Sequence, residues 1–216
     1  MRTRYLLLCG LLLLATLAVT IALYAHLPAQ IPTHWNTRGQ VDHYGPRSFI
    51  FVHTGFMVAI MLLWTVLPWL SPKRHTVAIF QSTYWYILLI IVGMLAYIQC
   101  VLVWGAYSQS IDMNRAMLGG VGVFVALIGN VLGKVKRNFW IGIRTPWTLA
   151  DERVWYATHR LAGKTMVAGS LLCAAGALAG FPAGLCISLL VAGAAIPALY
   201  SLVYSKRLER SADLEN

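Results

Sequence analysis

The sequence predicts an all-α, polytopic membrane protein with six transmembrane helices and a cytoplasmic helix between the fourth and the fifth. The 216-residue chain is 59% hydrophobic and only 11% charged, whereas about a quarter of the residues in a soluble domain are charged. Six apolar runs approach the length of about 20 residues that a membrane-spanning helix needs. Lysine and arginine lie between these runs. We expect one membrane domain over residues 1–216, with an N-terminal part at 1–75 and a second part at 76–216.

The first apolar run, Tyr5–Leu27, predicts a retained first span. It is uncharged and follows Arg2 and Arg4. A secretory signal has an apolar core of about 7–15 residues and a small-residue exit of the A-x-A kind. This run is longer, and its exit at residues 23–25 reads Leu-Tyr-Ala. A cleaved signal is the alternative.

Polar and proline-rich segments separate the later spans. The loop at residues 28–48 holds three prolines and two glycines, which stop helices and set turns. We expect Ser48 to cap the second span and Pro68 to bend or end it. The predicted spans after the first are Phe49–Leu70, Tyr84–Tyr107, Met117–Leu132, Thr165–Phe181 and Leu185–Tyr204.

The connection at residues 130–164 has the highest density of charge and indole in the chain. It contains seven Lys and Arg residues, two acidic residues and three of the eight tryptophans. Thr148 precedes Asp151 by three residues, as in a capping box. An apolar face at helical spacing runs through Ala150, Val154, Ala157 and Leu161. We therefore expect an interfacial or cytosolic helix that leads directly into the fifth span.

The distribution of basic residues predicts the topology. With six crossings and the N-terminus inside, fourteen of the 17 Lys and Arg residues lie inside, Lys73 and Arg74 among them, and three lie outside. Because Lys and Arg are retained on the cytoplasmic side during insertion, both termini and the basic connection are expected in the cytoplasm. Topology thus accounts for the net charge of +10, and no motif indicates direct binding to nucleic acid.

Small residues at four-residue spacing predict close helix packing within the bundle, with a homodimer seam as the alternative. The pairs are Gly129 and Gly133, Gly169 and Cys173, Gly176 and Gly180, and Ser188 and Ala192. The four cysteines all lie in apolar runs without a CxxC spacing. They are expected to be small buried hydrophobic residues rather than disulfides or metal ligands.

The first outside loop supports three interpretations. His34, Asp42 and His43 together could hold zinc. Alternatively, Asn36 and Asp42 make side-chain-to-backbone turns in a compact loop, and Trp35 and Tyr44 lie at the level of the lipid headgroups. The third interpretation is a surface that recognises an external ligand. The candidate ligand-binding residues are Pro32, His34, Trp35, Asn36, Gly39, Asp42 and Tyr44.

The predicted spans lack the ionisable residues of proton relays and ion-coupled carriers, namely Asp, Glu, Lys and Arg. A water-filled path, if present, would have to be lined by Gln99, Asn130 or His53. Nucleophile-elbow, zinc-protease, P-loop and dinucleotide-binding fingerprints are absent from the sequence. We therefore predict neither an enzyme nor a bound cofactor. His159 and Arg160 are expected on a solvated or headgroup-facing surface.

The turn from Arg144 to Thr148 is a further candidate site. Pro146 fixes the turn and favours an extended conformation at Thr145. Arg144 could pair with a lipid phosphate or with Asp151 or Glu152. The turn would then either anchor the chain at the membrane interface or dock a cytosolic partner.

Two segments resemble known signatures. IPTHWNTRGQVD, at residues 31–42, resembles the IP-x-H-[WF]-N-x-x-G-x-x-D signature of a membrane domain of uncharacterised function. The segment at 129–163 resembles the SdpI immunity-protein family. The residues that match this family are Gly129, Asn130, Lys134, Asn138, Gly142, Arg144, Thr145, Pro146, Trp147, Thr148, Trp155, His159, Arg160 and Gly163.

The resemblance implies a six-span protein of the bacterial cytoplasmic membrane. In that family the best-known member protects its producer from a secreted killing peptide and holds a small transcriptional repressor at the membrane. We therefore expect an immunity and signalling receptor, with membrane lipids, a secreted toxin peptide and a cytosolic repressor as partners. The candidate partner-binding residues are Asn130, Lys134, Asn138, Arg144, Thr145, Pro146, Trp147, Thr148, Trp155, His159 and Arg160. The alternatives are a small-solute transporter or channel and a metal-dependent membrane enzyme. The oligomeric state stays open.

Overall fold

The computed structural model describes residues 2–36, 38–71, 77–108 and 110–214 and has the predicted all-α, polytopic architecture. Six of its helices are long and apolar enough to cross a membrane. The expected inside residues Lys73 and Arg74, and the boundary between residues 75 and 76, lie outside the described residues. The helices are α1 Arg2–Tyr24, α2 Ile50–Val66, α3 Gln81–Ser108, α4 Met113–Leu132, α5 Pro146–Ala150, α6 Glu152–Leu178 and α7 Ala183–Leu214.

Successive long helices run in opposite directions, so the bundle has two distinct ends. At one end, which we call the basic end, the rings of Tyr5 and Tyr86 meet at 6.3 Å near the starts of α1 and α3. There too, Trp140 Nε1 donates to Ser71 Oγ beyond the end of α2, at 2.5 Å. At the other end, the first loop lies against the starts of α4 and α7.

Helix α3 is the central element, because it packs against α1, α2 and α4 and has the most buried residues of any described helix. Two reciprocal hydrogen bonds join it to α2: Trp64 Nε1 donates to the Tyr84 carbonyl at 3.2 Å, and the Tyr84 hydroxyl donates to the Trp64 carbonyl at 2.6 Å. Deeper in the bundle, the fully buried Gln99 donates to Thr20 Oγ1 at 2.9 Å and to the Ile50 carbonyl at 3.2 Å. These bonds fix α1, α2 and α3 at one relative height.

Glycines bring α4, α6 and α7 into close contact, as the small-residue pattern predicts. A Cβ on Gly129 of α4 would lie 3.0 Å from Met166 Cβ of α6, and a Cβ on Gly169 of α6 would lie 2.5 Å from the Leu189 carbonyl oxygen of α7. For the pair of Ser188 and Ala192 the prediction is wrong within this chain, since both lie on an exposed face of α7. Spacing identifies a helix face but does not tell which neighbour covers it.

A proline inside α7 is compensated by a threonine on α6. Pro197 has no N–H, so the Gly193 carbonyl one turn earlier lacks its usual helical donor. Thr165 Oγ1 donates to that carbonyl at 2.7 Å, across the α6–α7 contact. In a membrane, where no water can replace the missing donor, a neighbouring hydroxyl commonly fills this role.

The first loop is a β-hairpin, whereas the sequence indicated only a compact loop. Strands β1 Gln30–Trp35 and β2 Val41–Pro46 pair antiparallel, with irregular register on both sides of His34. We call this end of the bundle the hairpin end. The capping role expected of Ser48 is wrong: a 3-10 turn at Arg47–Phe49 precedes α2, its N-cap is Pro46, and no side chain caps it.

The helix expected ahead of the fifth span is continuous with that span. Helix α6 runs unbroken from Glu152, because its basic residues lie on an exposed face and no proline interrupts it. The capping box proposed for Thr148 and Asp151 is wrong. Instead, Thr145 and Thr148 form the capping box of the short helix α5, and the Asp151 side chain caps α6 by accepting from the Arg153 N–H.

Candidate functional site

The first candidate site is the loop at residues 133–145, between α4 and α5 at the basic end. Asn138 organises it. Its amide is fully buried and makes four hydrogen bonds: Oδ1 accepts from the N–H groups of Trp140 and Ile141 at 2.7 and 2.8 Å, and Nδ2 donates to the carbonyls of Lys136 and Ile141 at 2.8 and 2.9 Å. Asn138 is thus a loop-forming residue rather than one exposed to a partner.

Two ring side chains of α6 attach this loop to the bundle. Trp155 is fully buried, and its Nε1 donates to the Val135 carbonyl at 2.9 Å. His159 stacks on the Trp155 ring with centroids 4.1 Å apart. His159 Nδ1 lies 2.8 Å from the Trp155 carbonyl, and Nε2 accepts from the Ile143 N–H at 3.0 Å. This pattern requires a neutral ring protonated at Nδ1, since a protonated Nε2 would face another N–H group.

The surface position expected for His159 is therefore wrong, because the side chain is fully buried. Gly142 makes this burial possible. Its φ of +120° lies in a region that side-chain-bearing residues rarely adopt, and a Cβ there would lie 2.3 Å from His159 Nε2. Arg160, the next residue on the helix, is exposed as predicted. The two neighbours differ because consecutive helical residues point about 100° apart.

The turn with the sequence Arg-Thr-Pro-Trp-Thr is attached to α7. Thr145 Oγ1 lies 2.9 Å from Ser201 Oγ, and Ser201 in turn donates to the Ala198 carbonyl at 2.6 Å. Thr148 is buried, and its hydroxyl donates to the Ile143 carbonyl at 2.8 Å. Pro146 occupies the first helical turn of α5, where its missing N–H costs nothing.

Charged side chains surround this buried framework. Arg144 donates to the Phe139 carbonyl rather than pairing with Asp151 or Glu152. Asp151 pairs instead with Arg153, Oδ2 to Nη2 at 2.8 Å, and hydrogen bonds from the Arg153 guanidinium hold the pKa of Asp151 below its ordinary value. The Lys136 ammonium lies 4.9 Å from the centre of the Tyr156 ring.

The predicted partner-binding residues thus fall into a buried group and an exposed group, with one residue between them. Five are buried or bonded into the framework: Asn138, Thr145, Thr148, Trp155 and His159. Trp147 is half-buried. Exposed positions are held by Asn130, Lys134, Arg144, Pro146 and Arg160. Only the second group can present side chains to a partner without the loop coming apart.

A groove of about 930 Å³ lies beside the loop, between α4, α6 and α7. Its polar lining residues are Asn130, His159, Arg160, Lys164 and Tyr200, and Val167 and Ala168 are among its apolar lining residues. We call it the basic groove. It brings together three of the predicted residues, Asn130, His159 and Arg160, of which the first and the last are 30 positions apart in sequence.

The second candidate site is the hairpin. His34 Nδ1 and Asp42 Oδ1 lie 2.5 Å apart in an exposed pair. Asn36 Oδ1 accepts from the N–H groups of Arg38 and Gln40 at 2.9 and 3.1 Å and so closes the turn, as predicted for this residue. Gly39 has φ of +77° and lies against Asn114 at the start of α4. The hairpin therefore has a defined shape and is seated on the bundle.

Cavities beneath the hairpin bring the predicted ligand residues together in separate groups. Pro32 helps line an apolar pocket of about 280 Å³ with residues of α2 and α3. Pro32, Trp35, Gly39 and Tyr44 line a second pocket of about 310 Å³. His34, Trp35 and Asn36 line a third, against α4 and α7.

The zinc interpretation of the hairpin is not supported by this geometry. His34 and Asp42 are paired, but within the residues that the structure describes no group of three His, Cys, Asp or Glu side chains is placed to hold a metal ion. In the strand register, His43 lies opposite His34. Among the described residues, His34, Asp42 and His43 therefore do not form a set of metal ligands.

The residues suggested for a solute path do not line one cavity. His53 Nε2 lies 2.9 Å from the Leu95 carbonyl and borders the apolar pocket at the hairpin end. Gln99 is buried in hydrogen bonds to α1 and α2. Asn130 lines the basic groove at the opposite end. Their roles are in helix packing and at two separate surfaces.

The sequence did not identify Ser201 and Val135 as residues of this site. In the sequence they are only a serine in an apolar helix and a valine in the loop at residues 133–145. Neither residue type marks a site by itself. Their roles depend on the loop folding back onto α6 and α7, because the Ser201 hydroxyl and the Val135 carbonyl then meet Thr145 and Trp155.

Comparisons with known proteins match both halves of the chain. Residues 134–205 match a family model described as the SdpI/YfhL protein family, and residues 11–58 match a domain of unknown function, DUF1648. The immunity protein SdpI of Bacillus subtilis (strain 168) is 30% identical over 148 residues, covering 68% of this chain and 69% of the relative. No solved structure matches.

Proposed function

This chain belongs to the SdpI/YfhL protein family, and on that basis we propose that it is an immunity protein of the bacterial cytoplasmic membrane. In the proposal, the hairpin end binds a secreted hydrophobic peptide outside the cell. The basic end faces the cytoplasm and docks a transcriptional repressor. The name of the Bacillus relative supports the immunity role, and the geometry of the two ends supports the rest.

The observation that carries the proposal is the apolar pocket under the hairpin. Ile31 and Pro32 of β1 form one side, and Val52 and Phe56 of α2 form another. Val52 and Phe56 are each more than half exposed, so the pocket opens onto apolar surface. Its volume of about 280 Å³ lies just below the range for small-molecule sites, about 300–1,000 Å³. It suits an apolar side chain of a peptide that arrives along the membrane.

The basic end supports docking of a soluble partner. The loop at residues 133–145 is held by buried hydrogen bonds, so the backbone that carries its exposed side chains is in place before any partner binds. Preorganised surfaces avoid part of the entropy cost of association. Lys134 and Arg144 are exposed cations on this loop, which favours a partner with an acidic face.

Survival of toxin-sensitive cells tests the peptide half. Cells expressing this chain would be challenged with the secreted peptide encoded beside it. We expect Val52→Trp, which fills the pocket, to lose at least tenfold in protection. Val58→Trp is the matched control, because Val58 is also exposed on α2 but does not line the pocket. Equal protection by the two variants, at equal membrane levels, would contradict the pocket as the peptide site.

Copurification tests the repressor half separately. We expect a small DNA-binding protein encoded beside the chain to copurify with the wild type and not with a Lys134→Glu variant. Ser188→Ala, an exposed change on α7, is the control. Loss of toxin protection with unchanged copurification would separate the two halves of the proposal.

Thiol labelling tests the proposed orientation. A cysteine replacing the exposed Tyr44 on the hairpin should react with a membrane-impermeant reagent in intact cells. A cysteine replacing the exposed Phe139 at the basic end should react only after the cells are opened. The reverse pattern would contradict both the orientation and the receptor proposal.

A further inference from the structure

The basic groove has two cations without an acidic partner. Arg160 and Lys164 are one turn apart on α6, and both are exposed. Among the described residues neither takes part in an ion pair, and the described lining of the groove contains no carboxylate. The described lining therefore supplies no negative charge to balance these two positive groups.

Neutral polar groups also line the groove. Asn130 reaches it from the last turns of α4, and Tyr200 lines it from α7. The Tyr200 ring stacks on that of Tyr204, with centroids 5.6 Å apart, which holds the phenol in place. Amide, hydroxyl, guanidinium and ammonium donors thus converge on one space from three helices.

The other side of the groove is apolar. Val167 and Ala168 line it one turn beyond Lys164, and α6 contains no charged residue from Thr165 to its end. The groove therefore passes from a polar, positively charged mouth into the part of the bundle that faces lipid. An anion with hydrocarbon chains has the same division between polar and apolar parts.

We propose that the basic groove binds an anionic phospholipid, with the lipid phosphate between Arg160 and Lys164 and the start of an acyl chain along Val167 and Ala168. Charge-assisted hydrogen bonds to phosphate are among the stronger polar contacts. Basic pockets between transmembrane helices are recognised sites for anionic headgroups. The lipid proposal does not rest on the peptide and repressor roles proposed above, although Asn130 and Arg160 are also among the residues exposed to a cytosolic partner.

Thermal unfolding of the purified full-length protein in detergent tests this site. We expect phosphatidylglycerol to raise the unfolding midpoint by about 3–5 °C more than phosphatidylcholine does. The double variant Arg160→Gln/Lys164→Gln should lose that difference. The control Arg207→Gln/Arg210→Gln, which removes the same charge from the exposed tail of α7, should keep it.

Several results would overturn the proposal. Equal midpoints with the two lipids would show no preference for an anionic headgroup, and equal losses in the two double variants would show only general attraction to negative charge. The same rise with inorganic phosphate alone would indicate a free-anion site. If the Arg160 and Lys164 variant does not fold, Ala168→Trp provides the test, since it fills the apolar half with both cations intact. Retention of the lipid effect in Ala168→Trp would contradict an acyl chain in the groove.

Discussion

Replacing Thr165 with valine should destabilise the bundle, and replacing Pro197 with alanine should remove that effect. The Thr165 hydroxyl donates to the Gly193 carbonyl at 2.7 Å, where Pro197 leaves the carbonyl without a backbone donor. Valine has nearly the same shape but no donor, so the carbonyl becomes unpaired in an apolar setting. The expected cost is about 1–2 kcal/mol, the range for an orphaned group and for the stronger interhelical bonds in membranes.

A double-mutant cycle isolates the interaction. In a Pro197→Ala background the new N–H reaches the Gly193 carbonyl, so Thr165→Val should cost less than about 0.5 kcal/mol there. Free energies of unfolding would be measured by denaturant titration in mixed micelles. Ser188→Ala is the control, because Ser188 donates only to Gly184 of its own helix, at 2.8 Å, and leaves no carbonyl unpaired. Equal costs of Thr165→Val in both backgrounds would refute the reasoning.

Three further substitutions have expected outcomes. Gly142→Ala should lower the free energy of local unfolding by about 2–4 kcal/mol, through positive-φ strain and loss of the hydrogen bond from the Ile143 N–H to His159. Hydrogen exchange of the loop at residues 133–145 should therefore accelerate. Gly119→Ala, whose Cβ would meet open space, should leave that exchange unchanged. Asn138→Leu should cost about 2–4 kcal/mol in thermal unfolding because it strands four backbone groups, and an unchanged midpoint would contradict its organising role. Asp42→Asn should change the free energy of unfolding by less than about 1 kcal/mol, because its contact with His34 is exposed. A larger loss in a denaturant titration would show that this contact holds the hairpin.

The six spans could be predicted from apolar length, because a lipid-facing helix must be apolar over its whole width. The central position of α3 could not be predicted in this way. Its span is no more apolar than that of α1, yet far more of it is buried. Its burial depends on the paired bonds of Trp64 and Tyr84 and on the fully buried Gln99, whose partners lie 20 to 79 residues away in sequence.

The sequence predicted which segment forms the candidate site, but not which of its residues are buried in the framework and which are exposed. The sequence indicated that residues 130–164 matter, and it placed His159 and Arg160 together on a surface. The structure separates them, because Gly142 leaves room for the imidazole against the loop while Arg160, turned about 100° around α6, is exposed. A periodicity argument cannot supply this distinction, since the loop that covers His159 has no periodic pattern of its own.

The unbroken course of α6 limits how a signal could pass between the two sides of a membrane. Its 27 residues form a rod of about 40 Å, with Trp155 and His159 near one end and the close contact of Gly169 with α7 farther along. Turning this rod enough to release the imidazole would also drive Gly169 out of register with Leu189. Any switch in this molecule must therefore move the entire helix as one body. Unfolding of the loop at residues 133–145 alone would not change the structure at the hairpin end.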